Sequence, residues 1–156
     1  MNKLIIDSRE KSNLSEFIIS EASRMNILTE KQWIEIGDYV YQDVCFEAKS
    51  TIDFLQSVLN GRLWNQVDNM DRHYEYSIVI IHGSLHQVMA YPKYVNMEIN
   101  EQLLKHKFYG AIGRLTLDTD CKVFWVESPQ KAAKIITTIC KMRPVKRSVI
   151  QPTLLK

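Results

Sequence analysis

The sequence predicts an α/β domain with a central mixed β-sheet flanked by helices, and three observations lead to it. Strand-length apolar runs (3–7, 76–81 and 122–126) alternate with longer stretches whose apolar residues recur at helical spacing. Residues 39–49 are extended and broken by a turn, which calls for antiparallel neighbours, whereas the later strands are joined by helical crossovers that produce parallel pairs. The composition is ordinary, with 46% hydrophobic and 24% charged residues in a chain of 156, which suits one domain around one core and excludes a fibrous or fully disordered chain.

Lys3-Leu4-Ile5-Ile6-Asp7 reads as a short buried strand ending on an acid, and residues 8–12 as a polar turn. Asn13 with Glu16 has the form of a capping box that opens a helix to about Met25, with Leu14, Phe17, Ile18 and Ala22 on one face. Residues 32–36 alternate polar and apolar, Gly37-Asp38 supplies a turn, and Tyr39-Val40-Tyr41 is separated by Gln42-Asp43 from residues 44–49. That stretch reads as a β-meander with its acids near strand ends. Ser50 with Asp53 is a second capping box; its helix carries Ile52, Leu55 and Leu59, pauses at Asn60-Gly61 and resumes from Arg62 to about His73.

Residues 76–81 are nearly all apolar, as in a central strand covered on both faces. Residues 85–95 carry no decisive pattern. Within 98–117, Leu103, Leu104, Phe108, Ile112 and Leu115 form a helical stripe weakened by Gly110 and Gly113. Lys122-Val123-Phe124-Trp125-Val126 reads as another buried strand. Ser128-Pro129 then provides an N-cap and a first-turn proline for a last helix with Ala132, Ile135, Ile136 and Ile139 on its apolar face.

Net charge is only +2, but its distribution is uneven: residues 128–156 hold seven basic side chains and no acidic one. Pro144 and Pro152 punctuate this end, so the expected organisation is a folded domain over 1–142 and a basic, extended tail over 143–156 that can lie along phosphates through Lys146 and Arg147. No apolar run approaches membrane-spanning length and the N-terminus is unlike a signal peptide, so an intracellular protein is expected, in the cytoplasm of a prokaryotic or virus-infected cell or in a nucleus. Cys45, Cys121 and Cys140 are widely spaced in apolar surroundings and read as buried thiols, and the four histidines show no metal-ligand spacing.

The chemistry-bearing stretch is 37–49. On a strand, Glu47 and Lys49 project to one face and Ala48 to the other. If the turn before Tyr39 returns Asp38 alongside, two carboxylates and an ammonium share one space. Hard oxygen donors with open positions suit Mg²⁺, and a lysine beside them can act on the attacking water, which is what phosphodiester hydrolysis requires.

Taken together, the motifs resemble the nuclease domain of the XPF family of structure-specific endonucleases, within the wider restriction-endonuclease-like PD-(D/E)xK fold. The family pattern D-x-R-E is met by Asp7-Ser8-Arg9-Glu10, G-D-Y-V by Gly37-Asp38-Tyr39-Val40, E-R-K-S with its following acid by Glu47-Ala48-Lys49-Ser50 and Asp53, and N-G-R-L with a glutamine by Asn60-Gly61-Arg62-Leu63 and Gln66. The resemblance spans about residues 4–141. It implies a metal-dependent endonuclease cutting branched or flapped DNA without a covalent intermediate. Mg²⁺ or Mn²⁺ would sit at Asp38, Glu47 and the Ala48 carbonyl, with Lys49 at the nucleophile, Asp7, Arg9 and Asp53 around the site, and Arg62 and Gln66 on DNA.

Two departures accompany it. Ala48 stands where the family has arginine, and neither the helicase nor the tandem helix-hairpin-helix module of the family is present in these residues, so dimerisation with a like or unlike partner and junction targeting are left to other features. A noncatalytic DNA-binding or partner-scaffold domain of the same fold is the rival reading, and a Holliday-junction resolvase or restriction-type enzyme a third. Gln151-Pro152-Thr153-Leu154 bears a faint likeness to a sliding-clamp-binding peptide without the aromatic pair such peptides use.

Overall fold

Alternating burial in β1 (Lys3–Asp7) sends Leu4 and Ile6 to one side of a sheet and Ile5 and Asp7 to the other. In the computed structural model, which describes residues 2–143, this strand belongs to a six-stranded sheet of order β2-β1-β3-β4-β5-β6. The remaining strands are β2 (Leu28–Gln32), β3 (Tyr39–Tyr41), β4 (Val44–Ser50), β5 (Tyr76–His82) and β6 (Lys122–Val126). Only β3 is reversed, pairing antiparallel with both β1 and β4, while β1 with β2, β4 with β5 and β5 with β6 are parallel. The carboxyl ends of five strands therefore lie along one edge of the sheet, and the start of β3 lies there with them. This mixed α/β architecture is the one the sequence predicts.

Each face of the sheet carries its own apolar layer. Ile6, Tyr39, Phe46, Ile78 and Ile80 pack with Ile18 and Ala22 of α1 (Asn13–Arg24) and Ala132 and Ile136 of α7 (Pro129–Met142). On the other face, Val79 and Ile81 meet Phe54 and Leu55 of α2 (Thr51–Leu59), Leu63 and Val67 of α3 (Arg62–His73), and Phe108 and Leu115 of α6 (Glu101–Asp118). Phe54 and Phe108 join α2 to α6 edge to face, with ring centroids 5.1 Å apart.

Several local expectations change. The strand expected over 32–36 lies at Leu28–Gln32, because the parallel ladder with β1 runs through those five residues. Residues 33–36 leave the sheet, so the expected meander reduces to the β3–β4 hairpin. The cap of α1 is Ser12 rather than Asn13, and its side chain makes no capping bond. The undecided 85–95 region supplies two short helices, α4 (Leu85–Met89) and α5 (Pro92–Asn96). Gly110 and Gly113 do not interrupt α6. β6 is not a buried strand: as an edge strand it leaves Phe124 and Trp125 more than a third exposed. Ser128 does cap α7, accepting from the Lys131 N–H at 3.2 Å.

At the end of the sheet opposite the carboxyl edge, Arg143 after α7 donates through its guanidinium to both carboxylate oxygens of Asp43 in the β3–β4 turn, the Nε contact being 2.7 Å. Its Cζ also lies 4.9 Å from the Tyr76 ring centroid. The first residue assigned by sequence to the tail is thus fastened to the sheet. Arg143 holds the Asp43 carboxyl below its ordinary pKa. A depressed folded-state pKa contributes stability that is complete above the unfolded value, near about 4, and is lost as pH falls through the folded value. Arg143→Ala is expected to cost about 1 kcal/mol at neutral pH and progressively less below that point. Urea denaturation in steps from pH 7 to pH 3 reads this out, and a deficit constant with pH would contradict an ionic origin.

Candidate active site

The reversal of β3 builds the site. Asp38 N–H donates to the Phe46 carbonyl at 2.9 Å and Asp7 N–H to the Asp38 carbonyl at 2.9 Å, so β1, β3 and β4 are joined at this residue. Paired strands keep their side-chain alternation in step, which puts Asp7, Asp38, Glu47 and Lys49 on the α2–α3 face at the carboxyl edge. Asp38 Oδ2 accepts from the Ala48 N–H at 3.0 Å, and Lys49 Nζ stands 3.6 Å from Glu47 Oε1. The Glu47 and Lys49 side chains are only 9% and 10% exposed.

Two carboxylates so placed oppose each other's ionisation. Burial, and then the charge of Glu47, raise the Asp38 pKa to about 8 against the Ala48 N–H bond and Lys49. Burial also raises Glu47, countered by the charge and hydrogen bond of Lys49. Asp7 behaves oppositely: burial pushes it up, but hydrogen bonds from Arg9 and from the Ile34 N–H outweigh this and hold it below the ordinary aspartate value. Asp7 is therefore an ionised anchor, whereas the Asp38–Glu47 pair is a site where a proton or a cation is favoured.

An open cleft of about 380 Å³ lies over Asp38, Glu47 and Lys49, with Asp53, Arg62 and Gln66 on its walls. A second, of about 310 Å³, shares Asp38, Glu47, Arg62 and Gln66 and extends past Asp7 and Arg9, so one groove runs along both sides of the acids. Arg62 and Gln66 are one turn apart on α3, and Gln66 Oε1 is buried with no hydrogen-bond partner among the described residues. Asp53 serves two purposes: its N–H caps onto Ser50 Oγ at 3.1 Å and its side chain lines the cleft. Ala48 faces away from Glu47 and packs against the α1–α7 core layer. Lys146, Arg147 and the 151–154 segment lie outside the described residues.

Two cleft residues escape sequence reasoning about sites. Glu10 lines the groove, and its charge reaches Asp38 and Glu47; it stands within the Asp7-Ser8-Arg9-Glu10 motif, which is the signal that could have singled it out. His82 ends β5 opposite Ser50 in the parallel ladder, and burial lowers its pKa while Asp53 pulls it back. Nothing in the spacing of the histidines could reveal this, because strand order supplies the neighbours. Among the described residues, no group of three or more His, Cys, Asp or Glu side chains is arranged to hold a metal ion, and no helix is long and apolar enough to cross a membrane.

The model of the ERCC4 domain matches residues 6–139. The chain belongs to the ERCC4 domain family. The XPF resemblance carried by the motifs is borne out by the relatives. The chain is 26% identical over 140 residues to the DNA repair endonuclease UVH1 of Arabidopsis thaliana, covering 88% of this chain and 14% of that protein. It is 41% identical over 81 residues to the DNA repair endonuclease XPF of Drosophila melanogaster, covering 51% and 8%. Among solved structures, XPF from Aeropyrum pernix superposes with a TM-score of 0.74 at 22% identity, covering 94% of this chain and 63% of that one. The same protein in complex with DNA gives 0.70 at 21% identity, covering 92% and 65%. These two show the fold. This ERCC4 domain corresponds to less than a fifth of the length of the Arabidopsis and Drosophila proteins.

Asp38 owes its position to Gly37, whose φ is +94° and where a Cβ would stand 2.2 Å from Cys45 Sγ. Gly61, at φ +81° before α3, has nothing within 4 Å of the same point. Gly37→Ala is expected to lose on the order of 3 kcal/mol from strain and clash together, and Gly61→Ala about 1 kcal/mol from strain alone. Equilibrium unfolding of the two variants checks this, and equal losses would remove the close approach at Gly37 from the account.

Proposed function

We propose that this ERCC4 domain is a metal-dependent, structure-specific endonuclease domain that hydrolyses phosphodiester bonds in branched or flapped DNA. The observation that carries the reading is the convergence of Asp38, Glu47 and Lys49 on one face of the sheet, in an open groove with Arg62 and Gln66 on its wall. The names of the relatives, DNA repair endonucleases among them, support it, as does the likeness to a fold solved with DNA.

Asp38 and Glu47, with the Ala48 carbonyl, would hold Mg²⁺ or Mn²⁺. The donor set fits: such ions take hard oxygen ligands and are commonly held by one or two carboxylates, with water and substrate phosphate completing the sphere, and a cation would favour the charged forms that burial disfavours in both acids and that the charge of Glu47 disfavours in Asp38. Held there, such an ion would supply Lewis-acid polarisation of the phosphoryl oxygen and a water of lowered pKa. Lys49, held beside Glu47, orients the attacking water and offsets charge on the phosphorus centre. Water adds to phosphorus as the bond to the leaving sugar oxygen breaks, with no covalent intermediate on the protein. Arg62 and Gln66 grip phosphate oxygens along α3, Asp7 and Arg9 hold the groove's far wall, and Lys146 and Arg147 add further phosphate contacts.

Cleavage of end-labelled flap, fork and Holliday-junction DNA in Mg²⁺ tests the proposal. The wild-type chain is expected to cut flap or fork DNA. Asp38→Ala, Glu47→Gln and Lys49→Ala should each slow cutting on the order of 10²–10³-fold while DNA binding changes little. Cutting that survives Asp38→Ala would sink the assigned mechanism, and tight binding without cutting by the wild type would leave a DNA-binding scaffold in its place.

A further inference from the structure

Trp33 is an aromatic side chain that neither core accounts for. It follows β2 at the carboxyl edge and is 63% exposed, whereas its neighbour Ile34 turns inward and is 7% exposed. Scattered surface apolar residues need no explanation in themselves, but this one is held in place. Asp7 Oδ1 accepts from the Ile34 N–H at 3.3 Å and from Arg9 Nε at 3.3 Å, and Arg9 Nη2 donates to the Ile34 carbonyl at 2.6 Å. Both polar groups of residue 34 are thereby fixed, and Trp33 beside it is presented outward. The Arg9 guanidinium carbon lies 5.2 Å from the Trp33 ring centroid, so a cation is stacked against the indole.

The same Asp7 and Arg9 line the groove that leads to Asp38 and Glu47. In the strand order β2-β1-β3-β4, β2 is three spacings from the strand that carries Glu47, roughly 14 Å at the usual separation of paired strands. Trp33 thus stands beside Arg9, a lining residue of the groove, within a few nucleotides of the acids. The groove past Arg9 carries the cations Arg9 and Arg62 beside the acids Asp7, Glu35, Asp38 and Glu47, so it is the π-face backed by a guanidinium, rather than net charge, that matches a nucleobase. Bases inside a duplex already cover one another's faces, so the partner must be unpaired.

We propose that Trp33, held by Arg9 and Asp7, is a stacking platform for a base of an unpaired DNA strand that reaches the cleft from the β2 side. The inference rests on the reading of the groove as a DNA site and adds what selects a flap or fork over plain duplex: one exposed base bound to a fixed indole. Asp7 and Arg9 then act as positioning residues for Trp33 as well as walls of the groove.

The test compares binding of the full chain to two fluorescein-labelled DNAs in metal-free buffer, a flap with an oligothymidine arm and a blunt duplex of the same paired length. Trp33→Ala is expected to weaken flap binding on the order of tenfold, leave duplex binding within about twofold and leave the melting temperature unchanged. Trp33→Phe should recover most of the loss. A 2-aminopurine in the arm should lose fluorescence on binding to wild type and keep it on binding to Trp33→Ala. Equal binding of both DNAs by wild type and Trp33→Ala, or equal weakening of both, would overturn the platform. Binding without metal separates the two proposals. A wild-type chain that cuts no DNA but shows the Trp33-dependent flap preference keeps the platform and loses the reaction, and one that cuts flaps with no dependence on Trp33 does the reverse.

Discussion

The pairing of Asp38 with Glu47 under partial cover is the constraint around which the rest of the chain is arranged. Burial raises the pKa of both acids and the charge of Glu47 raises Asp38 further, and a fold gains no stability from holding them so. Here the cost is contained by three fixed contacts: the Ala48 N–H on Asp38, Lys49 against Glu47, and the backbone bonds that tie Asp38 to β1 and β4. The reversed strand β3 is what makes the arrangement available. It is short, its two tyrosines pack into the α1–α7 layer, and its first neighbour, Asp38, is delivered to the opposite face at the edge where five other strands end. Ligands in sheets of mostly parallel strands collect at that edge, and the same topology brings Asp7 with Arg9, Asp53 and His82 there from three separate stretches of sequence.

Much of this was legible in the sequence where local chemistry decides. The continuous apolar run of β5, the Ser50 and Ser128 caps and the break at Asn60-Gly61 all stand where pattern reading puts them, because each depends on residues within a few positions. The failures are nonlocal. β2 is found by its ladder with β1 rather than by its own weak, polar sequence, and the alternation over 32–36 arises from one inward isoleucine held by Asp7. β6 looks like a core strand by composition, and only its place at the end of the strand order explains why Phe124 and Trp125 meet solvent. In the site, Asp38, Glu47 and Lys49 were readable from alternation on either side of a turn. His82 was not, since its neighbours come from strand order. Lys146 and Arg147 rest on charge alone.

Ala48 has a clear local setting. Its N–H is the bond that holds Asp38, and its methyl group fills a small place on the α1–α7 face, turned away from Glu47 and Lys49. The departure from the family's arginine therefore touches the acids through the backbone hardly at all. What it removes is a long cation whose side chain would start from that face. Among the described residues, the cations lining the groove are Arg9, Lys49 and Arg62.

The acid pair itself can be observed directly. Crystals of the chain grown with Mn²⁺ and measured for anomalous scattering would locate the ion independently of any activity. A peak within coordinating distance of both the Asp38 and Glu47 carboxylates, absent in crystals of Asp38→Asn, is the expected result; well-ordered carboxylates with Mn²⁺ bound elsewhere or nowhere would contradict the account.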